Sequence, residues 1–277
     1  MNSGMKLLVA YDGSGYADVA LTDLQRAGLP SQAEVIVLSV VERATPLDSL
    51  FTLEEEAAGL SKQAAEKLRQ AFPTWKVSAE SATGSPAWAI VNRADAWAPD
   101  LIVVGSRGRS LLERVFFGSV SQQIVSWSKF PVRVGRASRR EAAAPPRILL
   151  CLDGSSYADA ALNALGKRDW PAGTEICLLT AVHSLPEIAL SELKVDQARA
   201  ETFHEKATQA LMKTGIHITS TIKEGDPKQV ILDQADAWQA DCLFLGSRGL
   251  NTFHRFWLGS VSTSVVARAR CSVEIVH

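Results

Sequence analysis

Asp12, Gly13 and Ser14 return as Asp153, Gly154 and Ser155, an offset of 141 positions that recurs along the chain. Gly84 and Pro86 map to Gly225 and Pro227, and Asp95, Ala96 and Trp97 map to Asp236, Ala237 and Trp238. The same offset links Gly105 to Gly246, Gly118 to Gly259, and Val132 and Val134 to Val273 and Ile275. A period this long marks a duplicated domain and not a solenoid repeat. The 277 residues leave room for two cores, so the expected domains are 1–136 and 147–277. Between them, 137–146 is polar, small and ends in two prolines, the composition of a linker.

Each copy alternates strand and helix patterns. In the first, 6–11, 34–41, 101–104 and 132–134 are apolar runs that predict strands, and 75–82 alternates like a more exposed one. Helices are predicted over 17–27, over 53–72 with Pro73 as its stop, from Ser85 and Pro86, and over 120–129. Strands alternating with helices imply a parallel sheet covered on both faces. With right-handed crossovers the expected fold is α/β, two tandem doubly wound five-stranded sheets in the order 3-2-1-4-5. Strands one and four are then neighbours with diverging connections, which puts Asp12 and the segment after Val104 in one crevice.

That segment carries the most specific motif. Gly105, Ser106, Arg107 and Gly108 are followed by nine residues and then by Gly118, Ser119, Val120 and Ser121. Gly246, Ser247, Arg248 and Gly249, nine residues, and Gly259, Ser260, Val261 and Ser262 repeat it. Glycines at these positions let backbone N–H groups approach a ligand. The last one opens a helix whose first N–H groups have no partner within the helix, a ready anion site. Ser119 and Ser121 are candidate phosphate donors or ordinary caps, and Arg107 and Arg248 either reach a phosphate or are solvated. Asp12 and Asp153 serve as ligand contacts or as turn and capping residues. Between Gly108 and Gly118, Leu111, Leu112, Val115, Phe116 and Phe117 are expected to anchor the loop by packing. Glu54, Glu55 and Glu56 read as a solvated face.

Other chemistries are set aside by what the chain lacks. There is no Gly-x-x-x-x-Gly-Lys-Ser/Thr segment, and Gly13 and Gly15 make only an incomplete dinucleotide fingerprint. All five histidines lie in the second copy, so histidine cannot be a catalytic group common to both. The four cysteines, Cys151, Cys177, Cys242 and Cys271, have no metal-ligand spacing and read as small buried hydrophobes. A net charge of −1 gives no reason to expect nucleic acid or an anionic membrane as partner. With no apolar run near the ~20 residues a span needs, the chain reads as cytoplasmic.

The paired glycine motif, with Asp-Gly-Ser after the first strand, resembles the universal stress proteins over essentially the whole chain. The resemblance implies ATP or another adenine nucleotide, with or without magnesium, in each domain. On that pattern Gly105, Gly108, Gly118 and Ser119 hold ribose and phosphates, with Arg107, Val120 and Ser121 beside them. Asp12 and Gly13 lie near the nucleoside, and the backbone at Val40 meets adenine. Asp153, Gly154, Ala181, Gly246, Arg248, Gly249, Gly259, Ser260, Val261 and Ser262 are the second-domain equivalents. Ala181 in place of Val40 is a departure that loosens the adenine pocket. The function implied is regulation or sensing in a stress response. Two rivals stand beside it: an enzyme that hydrolyses ATP or transfers its phosphate, and an interaction module with structural nucleotide. A regulatory protein partner, pairing of the two domains through their final strands and a homodimer complete the expectations.

Overall fold

The computed structural model describes all residues except 1–3, 43–46, 109–116, 183–189, 213–214 and 250–257, and the side chains of 47–52 and 190–195. The chain divides into two compact units, residues 1–25 with 29–137, and residues 26–28 with 138–277.

In the first unit, β1 (Met5–Ala10), β2 (Ala33–Val41), β3 (Lys76–Thr83), β4 (Leu101–Gly105) and β5 (Val132–Gly135) run parallel in the order β3-β2-β1-β4-β5. Helices α1 (Gly15–Asp23), α2 (Leu47–Ala71), α3 (Pro86–Trp97) and α4 (Ser119–Trp127) connect them. Leu7, Val9, Val35, Val37, Leu101 and Val103 on the sheet, with Ala64, Ala65 and Leu68 of α2, form one buried cluster. Six apolar residues of this kind, fully buried, each contribute roughly 1.5–3 kcal/mol against remaining exposed. The second unit repeats the plan with β6 (Arg147–Cys151), β7 (Glu175–Val182), β8 (His217–Glu224), β9 (Cys242–Gly246) and β10 (Ser272–Val276). Its order is β8-β7-β6-β9-β10, again parallel, with α5 (Ser156–Gly166), α6 (Leu190–Leu211), α7 (Pro227–Ala237) and α8 (Ser260–Arg268). Both orders are the one expected.

Helix starts follow local chemistry. Ser14 and Ser155 cap α1 and α5, each side chain accepting from the N–H three residues on, and Pro86 and Pro227 sit in the first turns of α3 and α7. α2 begins at Leu47, earlier than the apolar spacing alone predicted.

Arg133 on β5 and Glu274 on β10 are 1% and 0% exposed. Arg133 forms a bidentate pair with Asp23 at the end of α1, at 2.7 and 3.1 Å, and Glu274 accepts from Arg168 just after α5. Within each unit these charges therefore face the helix layer and do not act as solvated charges on the final strand. Among the described residues, all four cysteines are free and no helix is long and apolar enough to cross a membrane.

Candidate functional site

In the first unit, a cleft of about 720 Å³ opens where β1 and β4 send their connections to opposite sides. Asp12, Val40, Gly105, Arg107, Gly108, Gly118, Ser119, Val120 and Ser121 all line it. Gly13 stands beside them in the turn after β1, where its φ of +76° favours glycine.

The turn itself is pinned at both ends. Asp12 Oδ1 accepts from Ser14 N–H at 3.0 Å, so one carboxylate oxygen makes the turn. The other, Oδ2, faces Gly108, lying 2.8 Å from where a Cβ on that residue would be. Asp153 repeats both contacts, with Ser155 N–H at 3.0 Å and the Gly249 Cβ position at 2.6 Å. Asp12 is thus both a turn residue and a wall of the cleft.

The glycines are fitted closely against the protein's own chain. A Cβ on Gly105 would stand 2.9 Å from the Tyr16 carbonyl, and one on Gly246 2.6 Å from the corresponding carbon of Tyr157. A Cβ on Gly118 would meet Arg107 Cα at 3.1 Å, and on Gly259 Arg248 Cα at 3.3 Å. Gly118 N–H donates to the Ser106 carbonyl at 2.9 Å, and Gly259 N–H to that of Ser247 at 2.8 Å, which closes each loop on itself. Gly118 and Gly259 have φ of −73° and −62°, so their backbone does not demand glycine.

The serines divide. Ser121 is buried and donates to the Gly105 carbonyl at 2.7 Å, and Ser262 donates to Gly246 at 2.8 Å. These bonds tie α4 and α8 to the preceding strand. Neither serine pair is the cap: Gly118 and Gly259 occupy that position, with no side chain bonding the first N–H groups. Ser119 and Ser260 are exposed at the first helical position. The amides of 119–121 therefore open on the cleft with the positive end of the helix dipole.

Arg107 lies over Tyr16, its guanidinium carbon 5.2 Å from the ring centre, and donates to the Tyr16 hydroxyl at 3.0 Å. Arg248 repeats this over Tyr157 at 5.7 Å, with its hydroxyl at 3.4 Å. Val40 and Ala181 stand near the ends of β2 and β7. Phe117 is buried as expected; Leu111, Leu112, Val115 and Phe116 lie outside the described residues.

Residues not singled out from sequence complete the cleft. Leu53, Ala57 and Leu60 of α2 form its apolar wall, a helical spacing that was visible but unassigned. Glu56, read as part of a solvated face, is exposed yet lines the cleft, as does Glu42. Tyr11, next to Asp12, donates from its hydroxyl to Asp18 Oδ1 at 2.7 Å, and Lys67 donates to the same oxygen at 2.6 Å. Burial and the Asp18 carboxylate push the Tyr11 hydroxyl above its usual range. For Asp18, burial acts upward but the bonds from Lys67 and Tyr11 outweigh it and hold the carboxyl low. Among the described residues, no three His, Cys, Asp or Glu are placed to hold a metal ion.

Fold and cleft together define a tandem, doubly wound α/β protein with a ligand-sized cleft at its first switch point. The family model described as "Universal stress protein family" matches residues 5–136 and again 146–277. The chain belongs to the universal stress protein family. A Thermus aquaticus universal stress protein is 33% identical over 134 residues, 47% of this chain and 97% of that protein. The Synechocystis universal stress protein Sll1388 is 34% identical over 91 residues, 33% of this chain and 59% of that protein. The crystal structure of a universal stress protein from Archaeoglobus fulgidus aligns over 100% of this chain and 99% of its own, with a TM-score of 0.72 at 25% identity.

Proposed function

We propose that the first-unit cleft binds an adenine nucleotide, ATP foremost, and that the chain uses it in stress-linked regulation. One observation carries this reading. The uncapped amides of α4 and the Asp12 carboxylate face the same cleft, opposite the apolar wall of Leu53, Ala57 and Leu60. Amides and dipole suit phosphates, Asp12 Oδ2 suits a ribose hydroxyl or a base amine, and the wall suits a flat heterocycle. A volume of about 720 Å³ is within the usual range for small-molecule sites. Magnesium would enter with the phosphates, since among the described residues no three His, Cys, Asp or Glu are placed to hold a metal ion.

The nucleotide released by denaturing purified protein tests this directly. Intact ATP in stoichiometric amount supports regulated binding. Release of ADP alone after incubation with ATP would favour the hydrolase reading, and absence of any nucleotide, with no uptake on titration, would overturn the assignment. Pairing of the two domains through their final strands is a further proposal. Deleting 272–277 is expected to cause self-association, and unchanged monomeric behaviour would refute it.

A further inference from the structure

The two halves diverge at the turn that follows the first strand of each unit. Lys67 of α2 reaches Asp18 at 2.6 Å, and Lys206 of α6 reaches Asp159 at 2.8 Å, so the two lysines mark the same level of the two helices. Three residues before Lys67 stands Ala64, and three before Lys206 stands Phe203. Long side chains on a helix lean toward its N-terminus and cover the turn before their own Cα. In the first unit that turn presents Leu60, part of the cleft's wall.

In the second unit, Phe203 holds the helix position that Ala64 holds in the first. Its ring lies against Gly154, so that a Cβ on the glycine would fall 2.2 Å from Cζ and 2.4 Å from Cε2. Gly154 adjoins Asp153 in sequence, the carboxylate whose first-unit equivalent lines the cleft. A cavity of about 540 Å³ does exist in the second unit, but it lies between α6 and β8, lined by His204, Thr208 and Ser220 among others. None of the described glycine-loop residues belongs to its walls. The residue just after the first strand changes as well: Tyr11 becomes Leu152, so the hydroxyl that meets Asp18 and Lys67 has no counterpart.

We infer that Phe203 closes the second cleft to a nucleoside, so that the chain takes up one adenine nucleotide, in its first domain. Phe203 is thereby the residue that sets stoichiometry, although both halves carry the full glycine motif. The inference rests on reading the first cleft as a nucleotide site, and the experiment separates the two.

Calorimetric titration with ATP is run on nucleotide-free wild-type protein, on Phe203→Ala and on Gly118→Val. One equivalent is expected for wild type, two for Phe203→Ala and none for Gly118→Val. Two equivalents in wild type would overturn the inference while keeping the first-cleft reading. One equivalent in Phe203→Ala would also overturn it, since another residue would then close the site. No binding by wild type or by Phe203→Ala would overturn both. Phe203→Leu, which keeps apolar volume while removing the ring, carries the same test if the alanine variant does not unfold cooperatively.

Discussion

Asp12 and Gly108 are fitted to one another: the Oδ2 atom of the first occupies the space a side chain on the second would need, at 2.8 Å. Asp153 and Gly249 repeat the fit at 2.6 Å. The carboxylate is the free end of a side chain, so an added methyl displaces it without moving backbone. Gly108→Ala is therefore expected to leave the fold within about 1 kcal/mol of wild type and to weaken ATP binding by about tenfold, roughly 1.4 kcal/mol. Asp12→Ala should weaken it similarly, and the double variant should be no worse than Asp12→Ala alone. Full additivity in a calorimetric double-mutant cycle would mean that the two residues act separately.

Gly105 answers to a different neighbour. Its missing Cβ admits the backbone of α1 at 2.9–3.0 Å, and backbone cannot swing aside. Gly105→Ala should cost on the order of 1–3 kcal/mol of stability from overpacking, visible as a lower urea midpoint. An unchanged midpoint would show that α1 shifts freely on the sheet.

The two serines of the α4 entrance separate stability from binding. Ser121→Ala removes a buried bond to the Gly105 carbonyl and should destabilise by about 1 kcal/mol, with ATP affinity changed less than in Ser119→Ala. Ser119 is exposed at the helix mouth, so its alanine variant should melt like wild type and bind ATP more weakly. The reverse pattern, read by thermal melts and titration, would reassign both hydroxyls.

Much of this was legible in the sequence. The offset of 141 and the alternation of apolar runs with helical spacing are periodic signals, and they led to five parallel strands in the right order within each unit. Asp12 and the glycine loop were placed in one crevice because strand order alone brings them together. What escaped were contacts set by packing. Nothing in Gly-x-x-Gly says whether the close neighbour is a ligand or the Tyr16 backbone, and nothing in Gly118-Ser119-Val120-Ser121 says which hydroxyl turns inward. The ring of Phe203 is invisible for the same reason, since one phenylalanine among helical apolar positions reads as core.

Acid should weaken the second unit more than the first. His204 is buried and shares a 2.9 Å bond with Thr180, and burial lowers its pKa below 6.5. Burial, and then the Arg248 charge, lower His277 to about 4. A histidine whose folded pKa is depressed favours the folded state most when neutral, so its full contribution is present above the unfolded value of 6.5. That contribution falls as pH drops from 6.5 toward about 4, because the unfolded chain takes up the proton first. Thermal melts over this range should show a declining second-unit transition, flattened in a His204→Gln, His277→Gln variant. A pH-independent wild-type transition would contradict the burial of these rings.

The buried pairs Arg133–Asp23 and Glu274–Arg168 carry their charges in opposite sense at equivalent strand positions. This makes the halves of a duplicated chain non-interchangeable. A hybrid that gave the first unit the last strand of the second would set Glu274 against Asp23, two buried carboxylates where an ion pair stood. Breaking such a pair costs about 3–5 kcal/mol even before like charges meet. The duplication has thus acquired polarity: each final strand bears an electrostatic address for its own helix layer. Recombination between the repeats, or mispairing of strands while both are unfolded, is penalised at a single buried residue.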